Sequence, residues 1–208
     1  MRRLEALLTV VLLCAFAAPA FAGVATIDFA TEGSGTGGLF SLLSGGNASG
    51  VNIPIANLTV SDPLYNGVVF NVTGSCGGTF LSDVGCLNFN TSTNTISIVG
   101  GIPGLDLGSM TLLSGSFTSW TATGDGMTNA TGPDTKAAAL LTAVGLSTDY
   151  KFNYFGFSLT TTGTSPDTVI STDIRNTGAV PEPVSVLLFG TGLLVAGTYM
   201  RRKRAGSR

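Results

Sequence analysis

Between about residue 23 and residue 179, apolar residues come only in short runs, each closed by Gly, Pro, Asn, Ser or Thr. A chain of this pattern cannot build long amphipathic helices, which need apolar residues at helical spacing over several turns. It can build many short strands, and strands at close, regular spacing point to a sandwich or barrel. Ile27 and Phe29, Val68, Phe70 and Val72, Leu87 and Phe89, and Ile96 and Ile98 each recur with period two. The expected fold class is therefore mainly β: a single β-sandwich-like domain with one short helix.

The punctuation divides this body further. Gly33 to Gly50 reads as loop, and Pro54 demotes the start of the Val51–Val60 stretch to an edge. Gly100-Gly101 and Pro103-Gly104 read as breakers. Met110 to Thr123 reads as two strands or one bent one. Thr135 to Val144 is rich in Ala and Leu, with Asp134 placed to cap it and Gly145 to end it, and is the expected helix. Tyr150 to Leu159 alternates aromatics but changes phase at Tyr154–Phe155, which a bulge near Gly156 would explain. These aromatics read as core, since large rings dominate core burial. Ile170, Thr172 and Ile174 form a last strand, and Asn176 to Val180 reads as linker.

The two ends differ in kind. Met1-Arg2-Arg3, an apolar run from Leu7 to Ala18, and Ala20-Phe21-Ala22 have the order of a signal peptide (1–22) cleaved before Gly23. With that segment set aside, the domain of 23–179 holds three cations, Lys136, Lys151 and Arg175, against ten acids, a net charge of −7. An acidic body without basic clusters argues against a nucleic-acid partner. Cys76 and Cys86 are a disulfide candidate for an exported chain.

Val180-Pro181-Glu182-Pro183 opens the other end. An apolar run from Val184 to Met200 follows, then Arg201-Arg202-Lys203-Arg204. As a helix, 184–200 would span about 25 Å, enough for a short transmembrane helix. The basic cluster would stop it and hold its end in the cytoplasm. Together with the signal peptide this sets one topology, body outside and tail inside. The prolines keep the junction extended, as a protease requires.

These residues, in this order over 180–205, resemble the PEP-CTERM sorting tail of Gram-negative bacteria. The resemblance implies an exosortase-type membrane protease-transpeptidase as partner. It also implies an inner-membrane intermediate with the body in the periplasm, cleavage at or near the motif, and a final place at the cell surface or outside it. It further implies an association with exopolysaccharide and biofilm. Such tails occur on bodies of many kinds, so they report an address and not an activity.

The chemistry of the body is narrow. The chain has no histidine, which excludes Ser-His-Asp and Cys-His triads and His-ligated zinc sites. No cofactor, metal or catalytic residue is expected. Asp125, Asn129 and Asp134 could bind calcium but lack EF-hand spacing. Gly33-Ser34-Gly35-Thr36-Gly37-Gly38 matches G-x-G-x-x-G without the helix that would make it a dinucleotide site. The expectation is a non-catalytic envelope or extracellular-matrix protein. The alternatives are a carbohydrate- or ice-binding module, which needs an exposed aromatic row or flat Thr array, and an Asp-based glycosidase, which needs two carboxylates about 5 to 9 Å apart.

Overall fold

The computed structural model describes residues 24–31, 37–62, 64–76, 83–163 and 165–178. Thirteen strands, all paired antiparallel, form one curled sheet. In chain order they are β1 (Thr26–Ala30), β2 (Gly37–Leu42), β3 (Ala48–Ile55), β4 (Asn57–Ser61), β5 (Asn66–Asn71), β6 (Gly85–Asn90) and β7 (Thr95–Ile102). Then come β8 (Leu107–Gly115), β9 (Ser119–Thr123), β10 (Gly126–Gly132), β11 (Asp134–Lys136), the helix α1 (Ala138–Ala143), β12 (Phe155–Thr161) and β13 (Asp167–Thr177). The pairing order is β11-β8-β7-β6-β3-β2-β13-β1-β4-β5, with β12, β10 and β9 continuing from the other side of β13.

The sheet folds back on itself over one core. Phe89 of β6 and Phe157 of β12 lie well apart along the pairing order, yet their rings meet edge to face at 5.2 Å. Phe117 packs on Phe155 at 5.6 Å in the same cluster. Ile27, Phe29, Phe40, Ile98 and Leu113 complete the interior without solvent exposure. Each such side chain contributes roughly 1.5–3 kcal/mol on burial. This is the mainly β, sandwich-like body expected from the alternating runs.

Local chemistry explains the boundaries. Asn90 accepts from the backbone N–H of Ser92 at 2.8 Å, and Asn94 takes φ 58°, so the polar Thr91–Asn94 segment makes the turn from β6 to β7. Pro54 lies in β3, which has neighbours on both sides. However, β2 pairs only with Ala48–Val51, so at Pro54 the chain is paired with β6 alone and needs no second donor.

Several expectations are corrected. The stretch 33–50 contains β2 and the start of β3. Gly100 and Gly101 do not break a strand but lie inside β7, where Thr73 pairs with Gly101 in an antiparallel bridge: a Cβ on Gly100 would sit 2.9 Å from the Thr73 carbonyl. Thr135 and Lys136 are strand, and the helix begins only at Ala138 after Ala137, with no side-chain cap from Asp134. Gly145, at φ 76°, does follow the helix end. No register shift falls at Gly156; β12 simply starts at Phe155, so Tyr154 belongs to the preceding segment. Asn176 and Thr177 are not linker but the end of β13. Among the described residues no helix is long and apolar enough to cross a membrane.

Candidate functional site

Two clusters of ionisable side chains stand out, one inside the body and one on its outer face. The inner one joins β11 to β13. Alternation along β11 turns Asp134 and Lys136 to the same side, and both side chains are inaccessible, at 1% and 0% exposure. Asn176, fully buried, reaches the same place from β13. Lys136 Nζ donates to Asp134 Oδ2 at 2.7 Å, and Asn176 Nδ2 donates to Asp134 Oδ1 at 3.0 Å. The Phe152 ring covers the Lys136 ammonium, 4.3 Å from ring centre to Nζ. Leu113 stands opposite Lys136 and Ile27 opposite Asn176 in the ladders, and both are buried.

Burial dominates the electrostatics here. Desolvation lowers the Lys136 pKa, against the pull of Asp134 in the other direction. Desolvation likewise raises the Asp134 pKa, against the hydrogen bonds and charge of Lys136 and the amide of Asn176. Both shifts move the pair toward a neutral amine and a neutral acid. Asn176 Oδ1 is buried with no hydrogen-bond partner among the described residues, which is costly and calls for an explanation.

The outer cluster lies across β13 and β1. Asp28 stands opposite Arg175, and Asp173 is the neighbouring residue on the same face of β13. The Asp28 carboxyl is raised to about 7, first by burial, then by a hydrogen bond and charge repulsion from Asp173, with Arg175 pulling it down. Around the pair the face carries hydroxyls: Ser158 and Thr160 on β12, Ser171 on β13, Thr26 on β1, Thr59 and Ser61 on β4.

The other sequence-derived residues fall as follows. Cys76 and Cys86 are joined in a disulfide, with Cα atoms 5.1 Å apart. Phe155, Phe157 and Leu159 point into the core as expected, whereas Tyr150 and Phe152 are half-buried and Tyr154 is exposed. Asp125 is in the turn between β9 and β10, Asn129 is in β10, and Asp134 is engaged with Lys136 and Asn176. Among the described residues no group of three His, Cys, Asp or Glu gathers that could hold a metal ion. Gly37 and Gly38 belong to β2, and Gly33 to Thr36 lie outside the described residues. So do the cleavage residues Ala20, Ala22 and Gly23, the motif Val180 to Pro183, the 184–200 run and the basic cluster Arg201 to Arg204.

Sequence reasoning passed over Lys136 and Asn176, because one was read as helix and the other as linker. The signal available for Lys136 was its isolation: it is one of three cations in 23–179 and is followed by Ala137-Ala138-Ala139-Leu140-Leu141. Nothing marked Asn176.

In comparisons with known proteins, no family profile matches the chain, and no curated protein or solved structure is significantly similar to it.

Proposed function

We propose that the chain is an exported cell-envelope or extracellular-matrix protein of non-catalytic kind, delivered through a PEP-CTERM and exosortase-type route. The observation that carries this reading is the order of Val180-Pro181-Glu182-Pro183, the apolar 184–200 run and Arg201 to Arg204, behind a signal-like N-terminus. The Cys76–Cys86 disulfide supports an oxidising, exported location. The mechanism assigned to the tail is physical. The apolar run holds the body at the membrane, the basic cluster fixes its direction, and the Pro-flanked Glu182 presents an extended segment to the protease.

The test is fractionation of the native host expressing either the wild type or a variant carrying Pro181→Ala, Glu182→Ala and Pro183→Ala. Under this reading the wild type leaves the inner membrane, and the variant accumulates there. Wild type and variant both remaining in the inner membrane would reduce the tail to a plain anchor.

A second reading, a carbohydrate-binding body, is favoured by the hydroxyl-rich outer face around Asp28, Asp173 and Arg175. Retention on the host's own exopolysaccharide, abolished by Asp173→Ala with Arg175→Ala, tests it. Equal retention of wild type and variant would remove this face from consideration.

A further inference from the structure

From the arrangement of Lys136, Asp134 and Asn176 we infer that the body closes an intramolecular isopeptide bond between Lys136 Nζ and Asn176 Cγ, with Asp134 carrying the protons. Three side-chain types are required for this reaction, an amine, a carboxamide and a carboxyl group, and all three meet in one buried place. The two oxygens of Asp134 hold the other two partners, at 2.7 Å and 3.0 Å. The amine and the carboxamide thus share one carboxyl group as hydrogen-bond partner before any bond forms.

The surroundings supply what the chemistry needs. A lysine is nucleophilic only as the free amine, and an apolar pocket favours that form. Phe152, Leu113 and Ile27 wall the cluster, and the Lys136 side chain has no solvent exposure. The shifts at Lys136 and Asp134 run in the matching directions, toward amine and carboxylic acid. As a plain ion pair the same residues would carry the full desolvation cost of two charges.

The orphaned oxygen of Asn176 bears on how the amide is set against Asp134. The nitrogen and oxygen of an amide are placed by hydrogen-bonding logic, and the group can be turned over. With Asp134 protonated and the amide turned, Asp134 donates to Asn176 Oδ1. The carbonyl oxygen, without a partner in the other setting, is then engaged, and the outward position falls to Nδ2, the atom that leaves. That same hydrogen bond draws electrons from Cγ and makes it the electrophile.

The step balances without an outside reagent. The Lys136 lone pair forms the N–Cγ bond, giving a tetrahedral centre whose oxygen is hydrogen-bonded by Asp134. Asp134 then takes a proton from the former amine and passes it to the departing amide nitrogen. The Cγ–Nδ2 bond breaks and ammonia leaves. The product is one secondary amide, with no change in oxidation state. It would tie β11, at one end of the pairing order, to β13 in its middle, and so lock the curled sheet shut. This inference concerns the body alone and stands apart from the sorting reading.

Mass spectrometry of the full chain, purified folded and disulfide-closed and then denatured for tryptic digestion, tests it. Trypsin releases Ala137–Lys151 only when Lys136 is a free amine. In the wild type that peptide is expected to be absent. In its place a branched species joins the Lys136 and Asn176 peptides, lighter by about 17 Da than their sum. Lys136→Arg removes the nucleophile, and Asp134→Ala removes the proton carrier while leaving both reacting groups. Both variants are expected to show only linear peptides. Stoichiometric release of Ala137–Lys151 from wild type prepared in this way would overturn the inference, whether or not the variants fold. A branched species persisting in Asp134→Ala would overturn the role given to Asp134.

Discussion

Replacing Asp28 with asparagine isolates the strain that the outer carboxyl pair places on the fold. In the folded chain the Asp28 carboxyl is raised from 3.8 to about 7, chiefly by burial and then by Asp173. The folded state therefore keeps a proton that the unfolded chain releases. The contribution is fully favourable below the unfolded value and is lost as pH rises toward 7. Unscreened, a rise from 3.8 to about 7 would be worth ~4 kcal/mol. Asp28 is partly exposed and solvent screens the pair, which leaves ~1–2 kcal/mol. The carboxamide of an Asp28→Asn variant would fill nearly the same space, hydrogen-bond to Asp173 and stay neutral. Urea unfolding followed by circular dichroism at about pH 4 and about pH 7.5 gives both stabilities. Between those values the wild type should lose ~1–2 kcal/mol relative to Asp28→Asn, so the variant is the more stable protein at the higher pH. Parallel stabilities across the range would refute the reasoning, as would a wild type that gains on the variant with rising pH.

Other perturbations probe other parts of the body. Phe157→Ala removes a ring that meets both Phe89 and Phe117 and should cost about 3–5 kcal/mol in the same assay. Cys86→Ser opens a loop of sequence separation 10 and should cost about 2–3 kcal/mol, with reduction of the wild type giving a comparable loss. Gly38 sits at φ 73° with the Asn52 carbonyl 2.6 Å from where a Cβ would lie. Gly38→Ala should therefore lower the urea midpoint by an amount equivalent to at least ~1–3 kcal/mol, whereas Gly46→Ala, with open space around it, should lower it less.

Where period-two alternation coincides with a buried face, the strand could be read from the chain. Ile27 and Phe29, Leu87 and Phe89, and Ile96 and Ile98 are such cases, and so are Phe155, Phe157 and Leu159. What stayed hidden was decided by partners far away in sequence. Gly37–Leu42 has little alternation of its own and becomes a strand because β3 and β13 flank it. Gly100 and Gly101 look like breakers until Thr73 is seen to pair alongside them. Gly126–Gly132 has no apolar alternation of its own, yet β9 and β12 pair with it on both sides. The inner cluster was least legible of all. Asp134 and Asn176 are 42 residues apart, and a buried Asn at the end of the last strand has the same one-letter appearance as a linker residue. The proposed export, in contrast, rests on local patterns at the two ends, with the Cys76–Cys86 disulfide as its support from the body.

The most direct test of the sorting account is peptide mapping of both termini of the protein recovered from the native envelope or medium. The account predicts a mature chain that begins at Gly23 and ends at or near Pro181-Glu182-Pro183, with no peptide from the 184–200 run or the Arg201 to Arg204 cluster. Recovery of a mature protein that still carries those C-terminal residues would contradict it.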